Sequence, residues 1–312
     1  MSQRMRHIVE AQQFDKRLIT QIFREAERME EVVAAGGSQE LRGKIMGALF
    51  YTVSTRTRLS FEAAMLRLGG QVISTEHPQN FSDAALGGSL EDTVRMINSY
   101  ADVLVLRHPE EGSAQRAAAV SQIPVINAGD GGGQHPTQAL LDLYTIARAH
   151  DGVDGAAVLV MGDLANSRTA RSLCYFLGKY AGIRLWLVAP PARAVRRDIV
   201  DYLERHDVRV AEIHGPGAAL DEAIAQAHVV YQTDLPPSPA ARDATDEPPR
   251  EAFAITADVV ARMRERAIIM HPFPRDAAIA QEVDSDRRAL YFQQIKNGLY
   301  VRMALLRMLF AD

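Results

Sequence analysis

The sequence predicts an α/β protein made of two doubly wound, largely parallel-sheet domains joined by a connecting helix. Three observations carry this. The chain has 312 residues, more than a single hydrophobic core usually organises. Short apolar runs alternate with segments of helical period, the pattern of βαβ units. That alternation occurs twice, on either side of one long helical stretch at Pro136 to about Ala149.

Residues around 14–35 read as a helix, with Phe14, Leu18, Ile19, Ile22 and Phe23 apolar between charges. Strands are predicted at 45–52, 71–74, 102–106 and 123–126, with helices at 59–68, 89–100 and 113–121 between them. Gly129-Asp130-Gly131-Gly132-Gly133 reads as a loop before the connecting helix. The second series opens with the fully apolar strand Ala157–Met161. It continues with a helix near 168–180, a strand at 184–188, a helix near 193–205 and strands at 208–211, 229–232 and 267–270. The proline-rich stretch from Leu235 to Pro249 reads as an exposed loop, and Gly298 to Phe310 as a final helix packed on the body.

Composition narrows the class. Hydrophobic residues make up 47% and charged residues 24%, ordinary for a globular protein, and a net charge of −4 gives no reason to expect nucleic acid. A single cysteine, Cys174, rules out an internal disulfide framework and fits a reducing compartment. The polar N-terminus lacks the apolar core of a signal peptide, and no run is long enough to span a bilayer. A cytoplasmic protein with no membrane partner is the expectation. No cluster has metal-ligand spacing and no nucleotide-binding glycine motif follows a strand, so neither a metal nor a cofactor is expected.

Ligands of parallel α/β sheets gather at the carboxyl ends of strands, and the polar clusters of this chain fall there. Ser54-Thr55-Arg56-Thr57-Arg58 stands between the first strand and its helix, where unpaired N–H groups and the helix dipole suit an anion. The hydroxyls of Ser54 and Thr55 and the permanently charged forks of Arg56 and Arg107 can hold a phosphate. His135 and Gln138 lie one helical turn apart. A neutral His135 can donate to a carbonyl oxygen, and Gln138 can bond an amide NH2. Phosphate beside a polarised carbonyl and an amide suits carbamoyl phosphate. Gly162-Asp163-Leu164 through Arg168 and His271-Pro272-Phe273-Pro274-Arg275 are further clusters at strand ends.

These motifs resemble the aspartate/ornithine transcarbamoylase family nearly end to end. Ser-Thr-Arg-Thr-Arg-x-Ser-Phe-Glu at 54–62 matches the family's carbamoyl phosphate signature; Arg107-His108-Pro109, His135-Pro136-Thr137-Gln138 and Tyr300-Val301-Arg302-Met303-Ala304-Leu305 also match the family's pattern. His-Pro-x-Pro-Arg at 271–275 resembles the aspartate branch; the ornithine branch typically carries Cys there. The resemblance implies a carbamoyl phosphate domain at 1–142, completed by a returning C-terminal helix at 293–312, and an acceptor domain at 143–292. It implies a homotrimer with shared active sites assembled by domain closure, and leaves room for association with other pyrimidine-pathway chains. The acceptor amine attacks the carbamoyl carbon and expels phosphate, which itself can take the excess proton. Arg56, Thr57, Arg107 and His135 are then catalytic. Ser54, Thr55, Gln138, Pro272 and Phe273 complete the carbamoyl phosphate site, and Arg168, Pro274 and the loop's Ser82 belong to the acceptor.

Two positions depart from the family pattern. Leu86 stands where the loop that serves the neighbouring subunit carries a lysine, and residues 75–94 contain neither Lys nor Arg. Thr233-Asp234-Leu235-Pro236 replaces Thr-Arg-x-Gln, so Asp234 stands where an arginine grips the acceptor carboxylate. A missing lysine in a closed site removes about 10²–10³-fold in rate. An Asp for Arg exchange also sets a like charge beside an aspartate substrate. Arg242 and Arg250 are the candidate replacement cations. Three readings stand on these residues: transfer to L-aspartate with a rearranged acceptor loop, transfer to a different amine that Asp234 pairs with, or a weak or inert paralogue that binds or scaffolds.

Overall fold

A computed structural model describes residues 6–77, 87–234 and 249–311. The chain divides into two compact units, Met1–Tyr144 with Ile295–Asp312 and Thr145–Gln294. The divisions fall inside two helices.

Unit 1 holds the helices α1 (Lys16–Ala34), α2 (Thr55–Arg67), α3 (Leu90–Ile97) and α4 (Ser113–Val120). Its strands are β1 (Ile45–Phe50), β2 (Gln71–Glu76), β3 (Val103–His108) and β4 (Val125–Asp130), all parallel, in the order β2-β1-β3-β4. Helix α5 (Pro136–His150) leads into unit 2. There β5 (Ala157–Met161), β6 (Arg184–Val188), β7 (Arg209–Ile213), β8 (Val229–Gln232) and β9 (Ile268–Met270) form a second parallel sheet, ordered β7-β6-β5-β8-β9. Helices α6 (Arg168–Leu177), α7 (Arg197–Arg205), α8 (Ala218–Gln226) and α9 (Ala257–Arg262) accompany it, and α10 (Tyr291–Phe310) ends the chain. Two parallel α/β sheets are the predicted fold. No described helix is long and apolar enough to cross a membrane.

The interior strands β1, β3, β5 and β8 are almost wholly buried, as covered parallel strands must be; of the edge strands, β2 and β7 are mostly accessible whereas β4 and β9 are buried. Each sheet reverses its winding direction once, between β1 and β3 and between β5 and β8. These switch points open crevices at the strands' carboxyl ends.

Several boundaries differ from the sequence reading, and three of them are informative. Helix α2 begins at Thr55 rather than Leu59, so Arg56 and Thr57 lie within its first turn. A first turn needs no apolar face, which is why periodicity missed it. Strand β4 runs through Gly129 and Asp130, read above as loop. Its buried polar side chains satisfy one another: Asn127 Nδ2 donates to Asp130 Oδ1 at 3.1 Å, and Asp130 Oδ1 also accepts from Gln134 N at 2.7 Å. Helix α10 starts at Tyr291 and passes through Gly298 without a break. Helices α8 and α9 were not anticipated, because one is short and alanine-rich and the other is only 6 residues long.

Candidate active site: two half-sites at the switch points

In unit 1 the crevice between β1 and β3 is bounded by the first turn of α2. Ser54 is the N-cap residue of α2, yet its side chain makes no capping bond. The N-caps of α1, α3, α6 and α9 all do, through Asp15, Ser89, Ser167 and Thr256. The first N–H groups of α2 therefore keep no side-chain cap and present the positive end of the helix. Thr57 is fully buried, and its Oγ1 has no hydrogen-bond partner among the described residues. The two arginines of the turn part ways. Arg56 stays at the turn, whereas Arg58 faces Glu62 at 3.7 Å and Glu76 at 3.5 Å.

Arg107 ends β3, where the β3–β4 pairing shifts register between Leu106 and His108. Such an irregularity re-aims a side chain. Its Nε donates to Thr52 Oγ1 and its Nη1 to the Ala128 carbonyl, both at 3.1 Å, which pins the guanidinium between the ends of β1 and β4.

Across the same sheet end, His135 precedes α5 and accepts the Gln138 N–H at its carbonyl at 3.0 Å. The Thr137 hydroxyl lies 3.4 Å from His135 Nδ1. Gln138 Nε2 donates to Asp142 Oδ1 at 2.9 Å, which leaves Oε1 as the side of the amide that faces away; that oxygen is buried without a partner. Each such orphaned buried group is costly unless a ligand satisfies it. Thr57 and Gln138 thus offer one donor and one acceptor within unit 1.

In unit 2 the corresponding crevice lies between β5 and β8. Gly162, at φ +135°, follows β5, and a Cβ there would stand 2.1 Å from Thr233 Oγ1. Only glycine permits this approach. It brings Asp163 N to the Asp234 carbonyl at 3.0 Å. Arg168 opens α6, capped by Ser167. The loop before it is held by Arg193, a residue the sequence reading missed: its carbonyl accepts from Leu164 N and Ala165 N at 3.1 Å, and its guanidinium pairs with Asp163 at 3.0 Å. No local motif marks Arg193, because its partners lie about thirty residues earlier.

The motif after β9 forms a compact aromatic corner. Buried His271 takes the Phe273 N–H on Nδ1 at 2.8 Å, which places its own proton on Nε2, 3.7 Å from Asp234 Oδ1. Phe273, at φ +54° before a cis Pro274, packs its ring against His271, Tyr291 and Phe292. Arg275 is turned to Asp284 and to the Tyr291 hydroxyl, and Arg250, a proposed replacement cation, pairs with Asp276. Ser82, Leu86 and Arg242 lie outside the described residues. Among the described residues, no cluster of three or more His, Cys, Asp or Glu side chains is placed to hold a metal ion.

The geometry thus defines an α/β protein with one anion-and-amide half-site and one mixed-charge half-site, each at a switch point. The comparisons with known proteins agree. Residues 6–148 match the description "Aspartate/ornithine carbamoyltransferase, carbamoyl-P binding domain", and residues 154–309 match its Asp/Orn binding domain. The chain belongs to the aspartate/ornithine carbamoyltransferase family. It is 48% identical over 304 residues to aspartate carbamoyltransferase 1, chloroplastic, of Pisum sativum, covering 97% of this chain and 78% of the relative. It is 44% identical over 308 residues to the aspartate carbamoyltransferase catalytic subunit of Archaeoglobus fulgidus, covering 97% and 98%. The Trypanosoma cruzi aspartate transcarbamoylase solved with carbamoyl phosphate and aspartate superposes with a TM-score of 0.91 at 36% identity, covering 98% of this chain and 96% of that one.

Proposed function

We propose that the protein transfers the carbamoyl group of carbamoyl phosphate to L-aspartate, releasing phosphate. The observation that carries this reading is the pair of buried, unpartnered atoms Thr57 Oγ1 and Gln138 Oε1 beside Arg56 and Arg107. Ser54, Thr55 and the first N–H groups of α2 hold the phosphate with Arg56. Gln138 Oε1 accepts from the carbamoyl NH2, because Asp142 already holds its own amide nitrogen. His135 is assigned the tautomer with hydrogen on Nε2, its Nδ1 facing the Thr137 hydroxyl at 3.4 Å, and donates to the carbamoyl oxygen together with Arg107 and Thr57. The acceptor amine forms a bond to the carbamoyl carbon, negative charge grows on that oxygen, and the C–O bond to phosphate breaks. Each donor aimed at the developing oxyanion supplies about 10²–10³-fold in rate.

On the acceptor side the assignment is Arg168 to a carboxylate, with Pro274 and with Asp234, which faces His271 at 3.7 Å; Pro272 and Phe273 are assigned to carbamoyl phosphate. The unit with β1–β4 serves carbamoyl phosphate and the unit with β5–β9 the acceptor. The same reading makes the assembly a cytoplasmic homotrimer in which the loop bearing Ser82 serves a neighbouring subunit. The assembly and location follow from the family resemblance; a monomeric mass by sedimentation would end the trimer assignment.

Phosphate release from carbamoyl phosphate, measured with aspartate and a panel of other amines, tests the function. Turnover with aspartate is expected, and Arg56→Ala should lower it by about 10²–10³-fold while abolishing the thermal shift that phosphate gives the unaltered protein. Turnover confined to a cationic amine would reassign the acceptor to one that Asp234 pairs with. Binding without turnover of any amine would overturn the enzyme reading.

A further inference from the structure

Arg302, in α10, is only 2% exposed, one of the most deeply buried large side chains of unit 1. A buried arginine ordinarily spends its donors on carboxylates and carbonyls. Here Nε and Nη2 are both buried with no hydrogen-bond partner among the described residues. The guanidinium instead lies 5.1 Å over the ring of Phe61, on the helix that carries Arg56 and Thr57. Its place is cut by Gly298, one turn earlier: a Cβ there would stand 2.6 Å from Nη1. Two charges act on it, Arg56 by repulsion and Asp142 by attraction, and Asp142 already accepts from Gln138. Burial and then Arg56 pull the guanidinium down to about 9, so it still carries its charge at neutral pH.

We propose that Arg302 is a positioning residue of the carbamoyl phosphate half-site, a second cation behind Arg56 whose charge the fold leaves largely uncompensated until a phosphate dianion binds. The inference rests on the donor-site reading above. A well-packed apolar side chain would serve the fold better at this position, since buried charges without full partners are destabilising. Keeping one there favours the ligated state over the free one. The two arginines repel each other in the free protein, and an anion at the α2 turn lowers the energy of both.

The test measures inorganic phosphate binding and melting temperature on the full chain. Arg302→Met is expected to raise the melting temperature of the free protein while weakening the phosphate Kd by about tenfold to hundredfold, the effect of one charge within about 10 Å of a dianion. A structural role predicts the opposite pairing, and a lowered melting temperature with an unchanged Kd would overturn the proposal. If the Met variant does not fold, Arg302→Lys decides. That variant loses the packing on Phe61 but keeps the charge, so Kd should stay within about threefold as the melting temperature falls. A Kd that collapses with it would overturn the proposal. Absence of phosphate binding by the unaltered protein would remove the donor-site reading itself, whereas an unchanged Kd in Arg302→Met removes this inference alone.

Discussion

The two units load the same topological position in different ways. In unit 1, Thr57 Oγ1, Gln138 Oε1 and two donors of Arg302 are buried without hydrogen-bond partners among the described residues. Around the β5/β8 switch point, unit 2 commits its cations to internal carboxylates: Arg193 to Asp163, Arg250 to Asp276 and Arg275 to Asp284. It then adds a carboxylate of its own, Asp234, at the end of β8. Parallel winding decides where a ligand binds; the side chains decide which ligand. Unit 1 is strained toward an anion. Unit 2 pairs three of its arginines with its own carboxylates, although Gln232 Oε1 and Arg250 Nε stay buried without a hydrogen-bond partner among the described residues, and its specificity turns on how few charges remain uncommitted.

The largest effect that would break this contrast comes from Asp234→Arg. If aspartate is the acceptor, exchanging the repelling charge for an attracting one should lower its KM by about 10²-fold, read from initial rates of phosphate release. A higher KM would show that Asp234 serves a cationic acceptor group. A smaller effect is expected from Gln138→Leu in unit 1. This change removes the carbamoyl acceptor and leaves Asp142 without its donor. It should raise the KM for carbamoyl phosphate about tenfold and cost about 1–3 kcal/mol of stability in denaturant unfolding. Unchanged binding would show that Oε1 does not face the substrate.

The smallest effect compares the units through their histidines. Burial lowers the pKa of His7 and His108 in unit 1 and of His150 and His228 in unit 2 below the ordinary 6.5. The unfolded chain then takes up protons near pH 6.5 that the fold resists, so stability falls as pH drops below that value and levels off under the folded pKa values. Melting temperature should be a few degrees lower at pH 5.5 than at 7.5, and His150→Gln should recover part of the loss. Asp286 acts in a separate window. Held at about 2 by Arg288, its contribution persists above pH 3.8 and is lost only as pH falls through about 2. A melting temperature flat from 7.5 to 5.5 would mean the histidines titrate alike in both states.

The donor half was legible because its chemistry is local. Ser54 to Thr57 and His135 to Gln138 are short motifs whose residue types and spacing already imply a phosphate and an amide ligand. The acceptor half was legible chiefly as a departure, at Leu86 and Asp234. Arg193 was not legible, since nothing near it in the chain distinguishes it from a surface arginine. Nor was the start of α2, because the residues that define its first turn face a ligand site and carry no apolar period.

By itself the sequence determined the two parallel α/β units, the phosphate turn and the replacement of an arginine by Asp234. These follow from apolar periodicity and from motifs contained within a few residues. Tertiary structure alone decided how the polar groups are spent: Arg58 on Glu62 and Glu76, Arg275 on Asp284 and Gln138 Nε2 on Asp142, while Arg302 Nε and Nη2 find no hydrogen-bond partner among the described residues. Whether a polar group is paired depends on where its side chain is aimed and on partners as far apart in the chain as Arg193 and Asp163, which only folding brings within hydrogen-bond reach.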